Sequence, residues 1–179
     1  ITGGGGIKSL EDARLLFNNG ADKLIINSLL YKKPNLVKNL IKQYGSQSIV
    51  ASVDYKKING NNVVLIDNGC EKIDMSIESY LKYVEDLNVG EIYLNSIDKD
   101  GTGFGYDFET IDQVANKLSK PLIIAGGAGN ENHLIEGLQK DNVDAVATAN
   151  LFNFVGNGLI NAREKILDKN INLADWSKQ

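Results

Sequence analysis

Hydrophobic and polar positions follow two different periods along this chain, and the change from one to the other predicts strands and helices in turn. Short apolar runs rich in β-branched residues predict strands at residues 23–27, 48–54, 91–97, 121–125 and 144–149. Amphipathic segments of about ten to twelve residues lie between these runs. Because strands that alternate with helices form parallel sheets, the pattern predicts an α/β fold built from βα units.

The number of strands points to a particular α/β fold. Residues 1–2 have the pattern of the end of a further strand, which gives six βα units in 179 residues. A closed (βα)8 TIM barrel needs eight strands and typically about 250 residues. We therefore expect one domain, residues 1–179, that contains the C-terminal six βα units of such a barrel. A complete open sheet of six strands is the alternative.

Turn and cap residues divide the chain further. Ser9, Ser76 and Asn130 stand where helix N-caps are expected, and Pro34 stands in a first helical turn. Residues 59–74 interrupt the βα pattern, because turn dipeptides flank the apolar run 63–66. This interruption predicts a hairpin between a strand and its helix, which we interpret as an active-site loop.

Composition and charge narrow the classes of function. The chain is 42% hydrophobic and 23% charged, as in an ordinary globular protein, and its net charge of −4 argues against a general nucleic-acid or anionic-membrane binder. A small-molecule substrate is expected instead. Cys70 and His133 are the only cysteine and histidine, so the sequence predicts no disulfide, no metal site of the cysteine or histidine type, and no cofactor. No apolar run approaches a membrane span, and we expect a cytoplasmic protein.

One sequence device occurs twice: an apolar run, a glycine cluster, a helix, and a second apolar run that ends in small residues. The first copy contains residues 2–6 and ends at Asn27-Ser28, and the second contains residues 125–129 and ends at Ala149-Asn150. Glycines between a strand and a helix let backbone N–H groups approach an anion at the helix N-terminus. The two copies therefore predict two phosphate-binding loops.

Asp54 ends one of the predicted strands, at residues 48–54, and so lies at the rim where active sites of parallel α/β folds gather. A strand-end aspartate also commonly caps a helix or bonds a loop. Its place between the two glycine loops favours a general acid or base.

The segment that follows Asn95 carries the densest group of polar residues. Asp98 and Asp100 are two residues apart and precede glycines that permit a tight loop. Such a pair can orient a sugar hydroxyl, share a proton or bind Mg²⁺, although one Asp-x-Asp offers few oxygens for a metal. In the alternative interpretation, Asp98 and Asp107 cap turns and Asp100 alone faces the ligand. His133, in the first turn of a helix, is expected to be a capping or exposed residue.

Taken in order, the motifs of the chain resemble the HisF family, the cyclase subunit of imidazole glycerol phosphate synthase. The resemblance runs from residue 1 to about residue 154. It is carried by Gly4-Gly5-Gly6-Ile7, Gly20-Ala21-Asp22-Lys23, Gly45-Ser46-Gln47, Val53-Asp54, Ser96-Ile97-Asp98-Lys99-Asp100-Gly101-Thr102, Gly105-Tyr106-Asp107 and Gly126-Gly127-Ala128-Gly129. The related isomerase HisA shares the barrel and the phosphate loops, but the residues in these motifs resemble those of HisF.

The resemblance implies an enzyme of the lyase class on a (βα)8 barrel. Its substrate is a bisphosphate ribonucleotide, and ammonia from a glutaminase partner of the HisH type closes an imidazole ring. The products are imidazole glycerol phosphate and an aminoimidazole carboxamide ribotide. Two aspartates at opposite strands serve as acid and base in that family, and Asp54 matches the second of them.

Further residues acquire roles through the resemblance. Lys23 and Glu91 match half of a charged gate at the barrel floor, through which ammonia enters. The positions that match substrate and phosphate contacts are Gly5, Gly6, Asn27, Ser28, Asn95, Asp100, Gly101, Gly126, Gly127, Ala149 and Asn150.

Two departures from the family pattern raise other functions. Ala125 and Asn150 stand where the cyclase has phosphate-binding serines, and residues 149–158 look more like HisF-like proteins of surface-polysaccharide clusters. Those proteins support glutamine- or ammonia-dependent amidation of a sugar, with a glutaminase-like partner. An alternative of another class is a phosphate-binding scaffold for a glutaminase, without catalysis.

Overall fold

The computed structural model describes residues 1–149, 151 and 158–174. The strands in this part are Thr2–Gly4 (β1), Lys23–Ile26 (β2), Ile49–Ile58 (β3), Asn61–Ile66 (β4), Glu71–Ser76 (β5), Glu91–Ser96 (β6), Leu122–Ala125 (β7) and Ala145–Val146 (β8). The α-helices are Leu10–Asn18 (α1), Ser28–Lys32 (α2), Pro34–Tyr44 (α3), Ile77–Asp86 (α4), Phe108–Val114 (α5), Glu131–Leu138 (α6) and Gly158–Leu167 (α7). Short 3₁₀ turns lie at Ser46–Ser48 and Ala115–Lys117.

The sheet is parallel along its main path, and its strands follow the chain in the order β1-β2-β3-β6-β7-β8. This order never reverses, whereas the strand order of an open doubly wound sheet reverses at a switch point. The sheet curls into a half-barrel. The expected α/β fold, a partial TIM barrel, is therefore confirmed, and the six main strands correspond to the five predicted apolar runs and the strand end predicted at residues 1–2.

Parallel pairing brings the ends of these strands together. The segments that follow β1, β2, β6, β7 and β8 all leave the sheet at its carboxyl-terminal rim. The two glycine loops, after β1 and after β7, are consequently on the same side of the sheet. An elongated ligand that spans this rim can contact both of them.

The predicted hairpin is present, and it lengthens its neighbour. β4 and β5 are antiparallel and extend the sheet beside β3. Residues 54–58 pair with residues 61–65, so β3 continues to Ile58 instead of ending at residue 54. The expectation that Asp54 ends its strand is therefore wrong: Asp54 lies within β3, opposite Leu65 on one side and Asn95 on the other.

Helix boundaries follow the cap residues. The side chains of Ser9, Ser76 and Asn130 each accept a hydrogen bond from a backbone N–H in the first turn of α1, α4 and α6. Pro34 opens α3, where its missing N–H has no cost. The structure therefore confirms the predicted starts of α1, α3, α4 and α6.

The core lies between the sheet and its helices. The buried residues that represent it are Val37 and Leu40 of α3, Leu81 and Val84 of α4, and Ile49, Val53, Leu94 and Ile124 of the strands. This apolar layer holds the strands rigidly beneath the rim. No helix in the described part of the chain has the length and apolar character needed to span a membrane.

Candidate active site

Asp54 faces a cavity at the rim that also contains the first glycine loop. The cavity has a volume of about 640 Å³, and Gly5, Gly6, Asn27 and Ser52 are among the residues that line it. A carboxylate and a set of backbone N–H groups thus share one space. The cavity is large enough for part of a nucleotide-sized ligand.

Donors from three adjacent strands surround the Asp54 carboxylate. Asn27 Nδ2 lies 3.3 Å from Oδ2, and Asn95 Nδ2 lies 3.2 Å from Oδ1. The Ser52 hydroxyl lies 3.4 Å from Oδ1. Ser52 was missed by sequence reasoning, although its place two residues before Asp54 in a strand puts both side chains on one face.

Burial raises the pKa of Asp54 above its ordinary value, because a charged carboxylate is poorly solvated in a half-buried site. The hydrogen bonds from Asn95 and Ser52 act in the opposite direction, and the negative charge of Asp100 raises the pKa further. The net shift is upward. A carboxyl group with a raised pKa exchanges a proton more readily near neutral pH, as a general acid or base must.

The first glycine loop is open. Gly5 and Gly6 have positive φ angles of 88° and 70°, and no described atom lies within 4 Å of the place where a Cβ would stand. Both glycines line the cavity, and the space beside their Cα atoms is open. Lys8, Lys32 and Lys33 line the same cavity and add positive charge, a feature that sequence reasoning missed.

The hairpin turn, residues 67–70 between β4 and β5, forms a wall of this cavity. Ser28 Oγ accepts a hydrogen bond from the Asp67 N–H at 3.0 Å, and Lys32 forms ion pairs with Asp67 and Glu71. Asp67 and Asn68 both line the cavity. The structure thus places the turn of the predicted hairpin beside the first glycine loop.

A second cavity, of about 230 Å³, contains the other glycine loop. It is lined by Asp100, Gly101, Gly103, Gly126, Gly127, Ala128, Gly129, Thr148, Ala149 and Leu151. Five of the predicted positions therefore lie together in one small cavity. Sequence reasoning missed Ala128, Thr148 and Leu151, because single residues of these types beside a glycine loop give no sequence signal of their own.

The three aspartates of the loop after β6 differ in their contacts. Asp98 accepts a hydrogen bond from the Lys57 N–H at 2.6 Å, and Asp107 accepts one from the Thr110 N–H as the N-cap of α5. Asp100 is exposed and lines the second cavity. Asp107 therefore caps a helix, whereas Asp98 bonds the backbone of β3 and does not cap a turn, and Asp100 is the one of the three that lines the second cavity.

Asn95, Asn150 and His133 complete the set of predicted residues near the rim. Asn95 lies between the two cavities, with its amide nitrogen directed to Asp54. Asn150 lies outside the described residues. His133 accepts a hydrogen bond from the Gly129 N–H at its Nδ1 atom, 3.0 Å away, and so supports the second glycine loop.

Lys23 and Glu91 form an ion pair at the opposite end of the sheet. They begin β2 and β6, on either side of β3, and both side chains are partly exposed. Glu91 lies opposite Val50 of β3, and Asp54 lies four residues further along that strand, toward the carboxyl-terminal rim. Both residues therefore lie at the amino ends of their strands.

The curled parallel sheet, with its strands in chain order, defines an α/β protein of the TIM-barrel type. Residues 1–156 match the model of the family described as histidine biosynthesis protein. This match covers most of the chain, and the chain belongs to that family. The sequence-based resemblance is confirmed.

Similar proteins carry more specific names. The chain is 45% identical, over 98% of its length and 66% of the relative, to a candidate imidazole glycerol phosphate synthase subunit, hisF2, of Parasynechococcus marenigrum. It is 38% identical to imidazole glycerol phosphate synthase subunit HisF of Chlorobaculum parvum, over 96% of the chain and 68% of that protein. HisF of Pyrobaculum aerophilum is 44% identical over 84% of the chain and 59% of that protein. The chain spans about two thirds of the length of these relatives.

Proposed function

We propose that this chain belongs to an ammonia-dependent cyclase subunit of imidazole glycerol phosphate synthase. The observation that carries the proposal is a half-buried carboxylate, Asp54, placed between two glycine loops at one rim of a parallel sheet. The family match and the names of the relatives support the same activity. The substrate is a bisphosphate ribonucleotide, and the products are imidazole glycerol phosphate and an aminoimidazole carboxamide ribotide.

In this proposal each glycine loop holds one phosphate of the substrate. Gly5 and Gly6, with Ser28 beside them, receive one end of the ligand. The other end is received by the second cavity, where Asp100 is positioned beside Gly101, Gly126, Gly127 and Ala149. The central part of the ligand then passes over Asp54, which moves a proton during ring closure.

The partner in this proposal is a glutaminase of the HisH type that supplies ammonia. The Lys23–Glu91 ion pair supports a docking position at the amino-terminal end of the sheet, opposite Asp54. Ammonia would enter beside this pair and reach the rim along the inner face of the sheet. The cytoplasm is the compartment we propose for this metabolism.

A second candidate is favoured by one residue of the second cavity region. Ala125, buried at the end of β7, offers no hydroxyl where the cyclase pattern has a phosphate-binding serine. A subunit that supports amidation of a sugar in surface-polysaccharide synthesis would tolerate this change. A scaffold that binds phosphate and a glutaminase without turnover is the third possibility, and it uses the same cavities.

The test measures turnover and binding with the same protein. We expect the protein to convert the bisphosphate ribonucleotide in the presence of an ammonium salt, and calorimetry to detect its binding. Binding of a nucleotide sugar in its place would support the amidation function. Binding of the ribonucleotide without turnover would support the scaffold, and binding of neither ligand would contradict all three.

A further inference from the structure

Asn27 and Asn95 occupy matching places on either side of Asp54. Asn27 directly follows β2 and Asn95 is the second-last residue of β6, and both strands pair with β3. Each asparagine directs its amide nitrogen to a different oxygen of the carboxylate. Asn27 Nδ2 donates to Oδ2, and Asn95 Nδ2 donates to Oδ1. An ionised carboxylate only accepts hydrogen bonds, so the amide nitrogen of each asparagine, and not its oxygen, must face Asp54.

The other end of each amide points toward a glycine loop or its neighbour. Asn27 Oδ1 accepts a hydrogen bond from the Ser28 hydroxyl at 3.3 Å, and Ser28 in turn bonds the hairpin turn. Asn95 Oδ1 lies against Gly126, where an added Cβ would stand 3.1 Å away. The Asn27 amide is thus hydrogen-bonded at both ends, and the Asn95 amide oxygen lies close to the second glycine loop.

The first asparagine is anchored a second time. Asn27 Nδ2 also donates to the carbonyl oxygen of Ser52 at 3.1 Å, which fixes the amide against the backbone of β3. Both asparagines are half-buried, where a polar side chain needs its partners. Their hydrogen-bonding capacity is therefore directed to the carboxylate and to the rim itself.

From this geometry we infer that Asn27 and Asn95 are positioning residues, each of which holds one oxygen of the Asp54 carboxylate. This inference deepens the proposed function and rests on it for the role of Asp54. It differs from the expectation that both asparagines bind the substrate directly. A carboxylate held at both oxygens presents a defined lone pair to the ligand, and misplacement of a catalytic group by about 1 Å can lower a rate about 10²-fold.

Substitution of either asparagine leaves the other charged and titratable residues near Asp54 unchanged in identity. Those whose charge is coupled to the carboxylate are Asp100 of the loop after β6, Tyr93 of β6 and Tyr80 of α4. Those that line the same cavity are Lys8, Lys32, Lys33 and Asp67. A change that follows substitution of an asparagine can therefore be assigned to the lost amide.

The direct experiment titrates Asp54 through the NMR signal of its ¹³C-labelled carboxyl carbon. We expect the titration midpoint to move to higher pH in Asn95→Leu and in Asn27→Leu, because each loses a donor that favours the ionised form. Asn62→Leu is the matched control, since Asn62 is a half-buried strand residue that bonds Thr110 at 3.2 Å, away from Asp54. Midpoints equal to that of the unsubstituted protein in both variants would overturn the inference.

Kinetics with the bisphosphate ribonucleotide separate positioning from binding. We expect kcat to fall by up to about 10²-fold in either leucine variant, while KM changes less than about twofold. A rise in KM at constant kcat would mean that the asparagine binds substrate, and would contradict the inference. If the unsubstituted protein shows no turnover, the proposed function fails and the titration still decides the positioning role. If a leucine variant does not fold, Asn95→Ala and Asn27→Ala replace it in the titration.

Discussion

The two glycine loops at the rim share one sequence pattern, but their surroundings differ. In the first loop, Gly5 and Gly6 are exposed, and a Cβ at either position would meet no described atom within 4 Å. In the second loop, a Cβ on Gly126 would overlap the carbonyl oxygen of Ser96, and one on Gly127 would overlap that of Gly105. These four glycines all have positive φ, but among them only Gly126 and Gly127 also need the space that a missing side chain leaves.

This difference shows that one motif can serve two physical purposes. The Gly105 N–H bonds the Gly127 carbonyl oxygen at 2.8 Å, so the loop after β6 packs directly on the loop after β7. The first loop has the hairpin turn as its neighbour and keeps an open cavity. Substitutions in the first loop should therefore affect ligand binding, and those in the second should affect folding as well.

The largest effect is expected midway between the loops. Asp54→Asn keeps the shape of the side chain and removes its ability to exchange a proton, so turnover should fall about 10²- to 10⁴-fold. The measurements are kcat with the bisphosphate ribonucleotide and the affinity for inorganic phosphate by calorimetry. Near-normal turnover in a folded Asp54→Asn protein would refute the catalytic role, and Asn62→Leu serves again as the control.

Gly127→Ala should produce the next largest effect. The methyl group would overlap backbone atoms at a residue with a φ of 110°, so we expect a loss of about 3 kcal/mol or more in the free energy of unfolding. Denaturant unfolding measures this loss. A stability close to that of the unsubstituted protein would show that the packed second loop can relax.

Gly5→Ala is the matched substitution in the open loop. Its cost should be limited to the positive φ of 88°, about 1–2 kcal/mol, because the cavity accommodates the methyl group. The affinity for phosphate should fall, since the added methyl narrows the approach to the backbone N–H groups. Equal destabilisation by Gly5→Ala and Gly127→Ala would remove the distinction between the loops.

The pH dependence of stability should reveal the raised pKa of Asp54. Between its ordinary value of 3.8 and the higher value in the folded protein, the native state holds a proton that the unfolded chain releases. The free energy of unfolding of the native protein, relative to Asp54→Asn, should therefore fall as pH rises through this window. Urea titrations at several pH values test the sign, and a difference that rises with pH would contradict it.

The smallest effect is expected at the opposite end of the sheet. Lys23→Met removes a partly exposed ion pair with Glu91, and such pairs contribute about 1 kcal/mol or less. Stability should change little, whereas activity that depends on glutamine and a glutaminase partner should fall more than activity with ammonium salts. Lys82→Met removes an exposed pair with Asp86 and is the control. Equal loss of both activities would argue against a gate.

Much of the fold could be predicted because the signals are local. The apolar runs that became β2, β3, β6, β7 and β8, the caps Ser9, Ser76 and Asn130, and the hairpin turn all depend on neighbouring residues. The end of β3 could not be predicted in this way. Residues 54–58 extend the strand because β4 returns beside them, and this pairing depends on a partner that begins at Asn61.

The candidate site likewise has features that local sequence predicts and features that depend on distant residues. The sequence by itself determined the fold class, the two glycine loops and the aspartate between them, because these follow from spacing and residue type. Only the tertiary structure decided that Ser52, Asn27 and Asn95 converge on Asp54, and that one glycine loop is open while the other is packed. Those properties depend on which strands lie side by side and on what fills the space near each backbone atom, and both are set by contacts between residues far apart in the chain.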